Sequence, residues 1–155
     1  MRAGLMVLLA AAVPAQAQEG AALSVEASIV EACAADTPPG DRTPPCIGAA
    51  AKQCQQAPGG ETTLGIATCV MGEHAAWDAV LNREYGASRA HYGTDQTAAD
   101  SLRAAQRAWI GWRDAECAFQ YDRYGGGSMR SVASANCQMS MTAMRALELR
   151  DLQGW

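Results

Sequence analysis

Lysine is almost absent from this chain, which has a single one, Lys52, beside eleven arginines. The cations are outnumbered by sixteen carboxylates, so the formal net charge is −4. An acidic protein is a poor ligand for nucleic acid and for anionic lipid, because both carry negative charge themselves. The composition therefore excludes nucleic-acid binding as a function class and leaves a basic partner possible.

Long apolar runs are also scarce, and the one that exists stands at the start. Arg2 precedes the apolar run 3–13, and the small residues "AQA" follow, a pattern typical of a secretory signal peptide. The run is too short for a bilayer, which requires ~20 residues. We predict cleavage after Ala17, a periplasmic or secreted product without stable membrane insertion, and a mature net charge of −5 once Arg2 is removed.

Motifs for catalysis and for metal binding are missing as well. His74 and His91 are the only histidines, and "EH" at Glu73–His74 has no second histidine one turn later. Ser128 in "GGGSM" lacks the GxSxG context of a nucleophile, and no lysine follows the glycines as in a phosphate-binding loop. The sequence therefore predicts no catalytic residue, no metal and no cofactor, and hence a protein that is not an enzyme.

Cysteine, by contrast, is well represented, with six residues after the predicted cleavage point. An even number in an exported chain without a CxxC pair indicates three disulfides. A pair eight residues apart on one helix would be separated by ~12 Å, which is beyond the ~7 Å limit between bonded Cα atoms. This excludes Cys46–Cys54 if both lie on one helix. The pairing we predict is Cys33–Cys46, Cys54–Cys69 and Cys117–Cys137.

The remaining pattern is helical throughout, since no segment alternates polar and apolar residues for long enough to require a sheet. Three long helices are predicted: one from residue 62 or 63, one ending at about Tyr124, and one over about 131–152. The expected caps are Thr62 or Thr63 for the first and Thr94 or Asp95 for the second. The predicted fold class is all-α: a small disulfide-stapled bundle of three main helices with a short-helix N-terminal segment.

Proline- and glycine-rich stretches, which interrupt helices, suggest how the chain is divided into segments. The prolines of "DTPPGDRTPP" separate two short helices, and "QAPGGETT" forms a turn before the first long helix. We therefore divide the chain into a signal peptide (1–17), a Cys/Pro-rich helical lead (18–65) and a helical domain (66–155).

The stretch "AQRAWIGWRDAECAF" puts charged residues on the same helix face as tryptophans. At ~100° per residue, Ala105, Trp112, Arg113 and Glu116 fall within ~60° of Trp109. A buried charge must be paired, so we predict a polar seam with the first long helix, in which Arg113 bonds Asp78 or Glu116 under the tryptophan faces. The alternative is an exposed recognition or catalytic site made of Arg113, Asp114 and Glu116. The predicted seam comprises Asp78, Asn82, Tyr85, Gln106, Trp109, Arg113 and Glu116.

The glycine loop between the last two helices is the candidate for partner binding. Gly125, Gly126 and Gly127 permit close approach of a partner, and Ser128, Met129 and Arg130 follow them. A Cys117–Cys137 bond would hold both ends of this segment in place. The alternative is a plain connector between helices.

Taken together, "WDAVLNREY", "AQRAWIGWRDAEC" and "CQMSMTAMRALEL" resemble the LprI-type lysozyme inhibitor domain family over about residues 69–150. The resemblance implies an exported, cysteine-bearing helical protein that binds a lysozyme or another exported protein. The function expected from it is inhibition of a muramidase by blocking its cleft. The alternative is a structural or interaction module of the cell envelope without lysozyme activity; the oligomeric state stays open. The matching positions are Asp78, Leu81, Asn82, Tyr85, Gln106, Trp109, Arg113, Cys117, Cys137, Thr142, Arg145 and Leu149.

Overall fold

A computed structural model describes residues 22–154, and these residues form helices and no strand. The predicted signal peptide lies outside the described residues. Three long helices make up the bundle, and two short helices precede them, so the predicted all-α class is confirmed. The helices are α1 (Ala27–Asp36), α2 (Ala49–Cys54), α3 (Thr63–His91), α4 (Gln96–Asp122) and α5 (Met129–Asp151), followed by a 3₁₀ turn at Leu152–Gly154.

Side-chain caps fix where two of the long helices begin. Thr62 accepts a hydrogen bond from the Gly65 amide at 2.9 Å, and Asp95 accepts one from the Ala98 amide at 3.1 Å. Each bond satisfies an amide that the first helical turn leaves without a partner. Of the alternatives that the sequence left open, Thr62 and Asp95 are the caps.

The core lies between α3 and α5, which form the most extensive helix pair of the described residues. Trp77, Leu147 and Leu149 are fully buried there. The lead contributes to the same core through Val30 and the small residues of α1 and α2. Residues on both sides of position 65 therefore share one hydrophobic core.

All three predicted disulfides are present. Cys33–Cys46 joins α1 to the proline loop, Cys54–Cys69 joins α2 to α3, and Cys117–Cys137 joins α4 to α5. No cysteine of the described chain is free. Cys46 precedes α2 and Cys54 ends it, and each pairs with a cysteine of another helix, Cys33 of α1 and Cys69 of α3.

A buried carboxylate anchors the lead to the bundle. Glu73, in the middle of α3, has no solvent exposure. It accepts hydrogen bonds at 2.7 Å from the amides of Gly48 and Ala51 at the start of α2, and a third at 3.1 Å from the Trp77 indole. These bonds satisfy the carboxylate inside the core and also the free amides of α2.

None of the helices in residues 22–154 is long and apolar enough to cross a bilayer.

Candidate functional site

Helix α4 lies on the outside of the bundle, and the stripe that the sequence predicted to face inward is only partly buried. Only Gln106 and Cys117 are fully buried on it, and α5 is its main neighbour. Trp109 is partly buried against the core, but Trp112 is 60% exposed. The buried face is rotated from the predicted stripe, so the placement of Trp112 on the inward face was wrong.

The predicted partners of Arg113 are also wrong. Its guanidinium bonds neither Asp78 nor Glu116; it donates to Asp114 at 2.8 and 3.0 Å and lies 5.1 Å from the centre of the Trp109 ring. Asp114 stays exposed and Arg113 is mostly covered. Arg113 therefore contacts the tryptophan face as expected, with its neighbour along the helix as counter-ion.

Four other predicted seam residues, Asp78, Asn82, Tyr85 and Glu116, find partners on their own helices. Asn82 donates to Asp78 at 2.9 Å, and Gln120 donates to Glu116 at 2.7 Å. Tyr85 packs against the core, and the Arg89 guanidinium lies 5.9 Å from its ring centre. The expected polar network between α3 and α4 is therefore replaced by short-range pairs within each helix.

A polar link joins α4 to α5 through Arg145. Its Nε donates to the Gln106 side chain at 3.0 Å, and its Nη1 donates to Glu148 at 2.8 Å. The guanidinium also lies 5.9 Å from the centre of the Trp109 ring, so Trp109 contacts two arginines. Arg145 matches the family pattern, but its pairing with Gln106 had no signal in the sequence.

We expect Arg145→Ala to lower the free energy of unfolding by about 2 kcal/mol, because it leaves the buried Gln106 amide without its donor and uncovers Trp109. Arg145→Lys should recover only part of this, since an ammonium cannot reproduce the planar fork. Chemical denaturation measures both changes.

Arg113→Ala should lower the free energy of unfolding by less than Arg145→Ala, because the ion pair of Arg113 is exposed on the Asp114 side. An equal loss of unfolding free energy in Arg145→Ala and Arg113→Ala would contradict the role of Arg145 as the polar link between α4 and α5.

His74 is an unusual polar residue near α4. Its Nε2 is buried and has no hydrogen-bond partner among the described residues. Burial lowers the pKa of His74, and the nearby Asp78 carboxylate opposes this effect. The neutral imidazole is thus the form the fold favours, so protonation of His74 as the pH falls works against the folded state.

The glycine loop forms one end of the bundle, beside the start of α3. Gly125 has a φ of 55°, which favours glycine, and Ser128 is the N-cap position of α5. Arg130 donates to the Gly125 carbonyl at 3.4 Å, and its guanidinium lies 4.8 Å from the Tyr121 ring centre. Arg130 therefore connects the two ends of the loop and supports its shape.

Exposed apolar side chains surround this loop. Leu64, in the first turn of α3, is 79% exposed, and Met129 is 47% exposed. Leu64 was not singled out in the sequence, because a leucine in a helix is ordinarily read as core. A groove of about 360 Å³ runs between the loop and the start of α3; it is lined by Thr63, Leu64, Gly126, Gly127, Ser128, Arg130 and Ser131.

A second groove adjoins the first, since Ser131 lines both. Its volume is about 400 Å³, and it lies between α3, the end of α4 and the start of α5. Met71, which lines it, is also exposed. The loop end of the bundle therefore offers two neighbouring grooves with exposed apolar side chains beside them, a feature found at protein-binding surfaces. The second groove is lined by Ala67, Thr68, Met71, Tyr121, Ser131, Ser134, Ala135 and Gln138.

Comparison with known proteins gives the family. A protein of Rhizobium meliloti described as uncharacterized is 32% identical over 100 residues, which cover 57% of this chain and 72% of that protein. No solved structure matches the chain. The model of the family described as lysozyme inhibitor LprI matches residues 54–149, more than half of the chain and all of α3 and α4. The chain thus belongs to the LprI lysozyme inhibitor family.

Proposed function

We propose that this protein is an exported, non-enzymatic inhibitor of a lysozyme, and that the loop end of the bundle blocks the cleft of the enzyme. Membership of the LprI family carries the proposal, because the family description names lysozyme inhibition. The three disulfides support export, since such bonds persist in oxidising compartments. The same family description names lysozyme, which is therefore the partner that we propose.

The loop end is the part of the molecule best suited to enter a cleft. Residues 125–130 run from the turn after α4 into the first turn of α5, and Cys117–Cys137 joins these two helices. A loop that is held in place loses little freedom on binding, which favours affinity. Leu64 and Met129 supply apolar surface beside the loop, and Arg130 supplies a cation.

The chemistry of a muramidase cleft fits this loop. Glycoside hydrolases carry two catalytic carboxylates in their clefts. Arg130 stands in the groove at the loop end, so it could approach these carboxylates when the loop is inserted. The acidic character of the chain as a whole would attract a basic lysozyme from a distance.

We expect the double variant Leu64→Ser/Met129→Ser to raise the inhibition constant for lysozyme at least about tenfold, because both exposed side chains would leave the interface. The measurement is the rate of cell-wall lysis at increasing concentrations of inhibitor. The variant should fold normally, since neither side chain is buried.

The matched control is Ile110→Ser, an exposed apolar residue of α4. It lies twelve residues before the end of that helix, about 18 Å along its axis. Equal losses in the variant and in this control would contradict the loop end as the blocking surface. A wild-type protein that inhibits no type of lysozyme would contradict the proposed function itself and would leave the envelope-interaction module as the alternative.

A further inference from the structure

Arg130 is a cation of the loop end that has no carboxylate partner within the described residues. Residues 22–154 contain ten arginines, because Arg2 of the eleven lies outside them, and six of the ten form a salt bridge. Arg130 forms none, and within the same residues its only hydrogen bond goes to the Gly125 carbonyl at 3.4 Å. A guanidinium has five N–H donors. Most of the donors of Arg130 are therefore left for a partner molecule.

The ring of Tyr121, near the end of α4, fixes the position of this guanidinium. The guanidinium carbon of Arg130 lies 4.8 Å from the ring centre, the shortest such distance among the arginine–aromatic pairs of the described residues. A cation over an aromatic face is attracted to it electrostatically. Tyr121 is itself partly buried, and it follows Cys117, which is bonded to α5, by one helical turn. The guanidinium is therefore held in place before a partner arrives.

The surroundings of Arg130 carry no other charge. Arg130 lines the groove of about 360 Å³ between the loop and α3, and Tyr121 lines the neighbouring groove of about 400 Å³. Among the residues that line these two grooves, Arg130 alone is charged. A single fixed cation in an uncharged groove favours an anionic group of the partner. A carboxylate fits best, because the planar guanidinium can donate two parallel hydrogen bonds to its two oxygens.

We propose that Arg130 forms an ion pair with the ionised catalytic carboxylate of the lysozyme, and that Tyr121 positions Arg130 for this pairing. The inference rests on the proposed function, because the carboxylate belongs to the cleft that the loop end is proposed to block. Of the two catalytic carboxyl groups of a glycoside hydrolase, one is protonated as the general acid and the other works in its ionised form. Arg130 would neutralise and cover the ionised one.

Tyr121 acts in this proposal through Arg130 and not through contact with the enzyme. Immobilising a long side chain at an interface costs free energy, and a ring that already holds the side chain lowers this cost. The face of the ring, and not its hydroxyl, provides the contact with the guanidinium. Phenylalanine at position 121 should therefore keep the effect, whereas leucine should not.

The test is calorimetric titration of the processed protein, with its disulfides intact, into a lysozyme that the wild type inhibits. Arg130→Gln should raise the dissociation constant at least about tenfold. Arg130→Lys should fall between the wild type and Arg130→Gln, because it keeps the charge without the planar fork. Tyr121→Leu should raise the constant about threefold to tenfold, and Tyr121→Phe should leave it unchanged.

Two double-variant comparisons separate positioning from direct contact. In the Arg130→Gln background, Tyr121→Leu should cause no further loss of affinity, since the ring then has no guanidinium to hold. A lysozyme in which the ionised catalytic carboxylate is replaced by its amide should bind the wild type more weakly. The same enzyme should no longer distinguish the wild type from Arg130→Gln.

The matched control is Tyr124→Leu. Tyr124 also lies beside an arginine, with the guanidinium carbon of Arg123 at 5.6 Å from its ring centre, but neither residue lines either groove. Binding of lysozyme should be unchanged in this variant. Arg130 and Tyr121 are partly buried, so circular dichroism is used to find a temperature at which all the variants are folded, and the titrations are made there.

The outcomes distinguish this inference from the proposed function. A wild-type protein that binds no lysozyme would overturn both. Binding by the wild type that is unchanged in Arg130→Gln would overturn the inference alone. Additive losses in the double variant of Tyr121 and Arg130, or an equal loss in Tyr124→Leu, would overturn the positioning role of Tyr121. Continued discrimination between the wild type and Arg130→Gln by the amide enzyme would overturn the catalytic carboxylate as the partner of Arg130.

Discussion

Replacing Glu73 with alanine should lower the free energy of unfolding by at least about 3 kcal/mol, because the change leaves two buried donors and one partly buried donor without an acceptor. Two of them are the amides of Gly48 and Ala51, and the third is the indole of Trp77. The lead should loosen first, since these bonds hold the start of α2 against α3. Chemical denaturation, followed by circular dichroism, measures the loss.

Two further variants make this result specific. Glu73→Gln keeps one acceptor oxygen but turns an NH₂ group towards a donor, so an intermediate loss is expected. Glu31→Ala removes a carboxylate whose partner, Arg83, is half exposed like Glu31 itself. Its cost should stay within about 1 kcal/mol. A loss for Glu73→Ala as small as that for Glu31→Ala would contradict the role of Glu73 as the anchor of the lead.

Removing the Cys117–Cys137 bond with a double serine variant should cost about 3 kcal/mol, as expected for a closed segment of 20 residues in a chain-entropy account. It should also weaken lysozyme inhibition, because the loop between these cysteines would no longer be held at its base. Thermal unfolding and the lysis assay measure the two effects separately.

The control for the second effect is removal of Cys33–Cys46. This bond encloses a segment of similar length, 13 residues, so the stability loss should also be about 3 kcal/mol. It joins α1 to the proline loop, so inhibition should persist at temperatures where the variant is folded. Equal loss of inhibition in both variants would mean that stability, and not the loop, governs activity.

Those features of the fold that depend on local chemistry could be predicted from the sequence. Thr62 and Asp95 indicate where α3 and α4 begin, because a short polar side chain before a helical segment can accept a hydrogen bond from a free amide of the first turn. The disulfides followed from geometric limits on reach and from the positions of prolines and glycines. The all-α class followed from the absence of segments in which polar and apolar residues alternate.

The orientation of α4 could not be predicted in the same way. Its sequence offers two apolar faces, one with Trp109 and Leu102 and one with Trp112 and Phe119, and periodicity does not say which one the bundle covers. We centred the buried face on Trp109 and extended it to Trp112. The actual centre lies near Gln106 and Cys117, where a disulfide and the Arg145 bond fix the helix.

The residues that the sequence did not reveal share one property: their partners are distant along the chain. Glu73 reads as a helical carboxylate, and its acceptor role depends on amides 22 and 25 residues away. Arg145 and Gln106 are 39 residues apart. Such pairs become visible only when the helices are packed. The glycines at 125–127 led us to predict a loop there, whereas nothing in the sequence indicated that Leu64 lies exposed beside it.

The position of α4 on the outside has a consequence for the way the molecule opens. The lead, α3 and α5 share the core, and two disulfides hold the lead together and join it to α3. Helix α4, by contrast, is tied by a single disulfide near its C-terminal end and by few buried side chains. Its N-terminal half can therefore detach in a local fluctuation that leaves the rest of the fold intact. Such a fluctuation makes its backbone amides the first to meet solvent and proteases, and whatever binds along α4 would hold the helix closed.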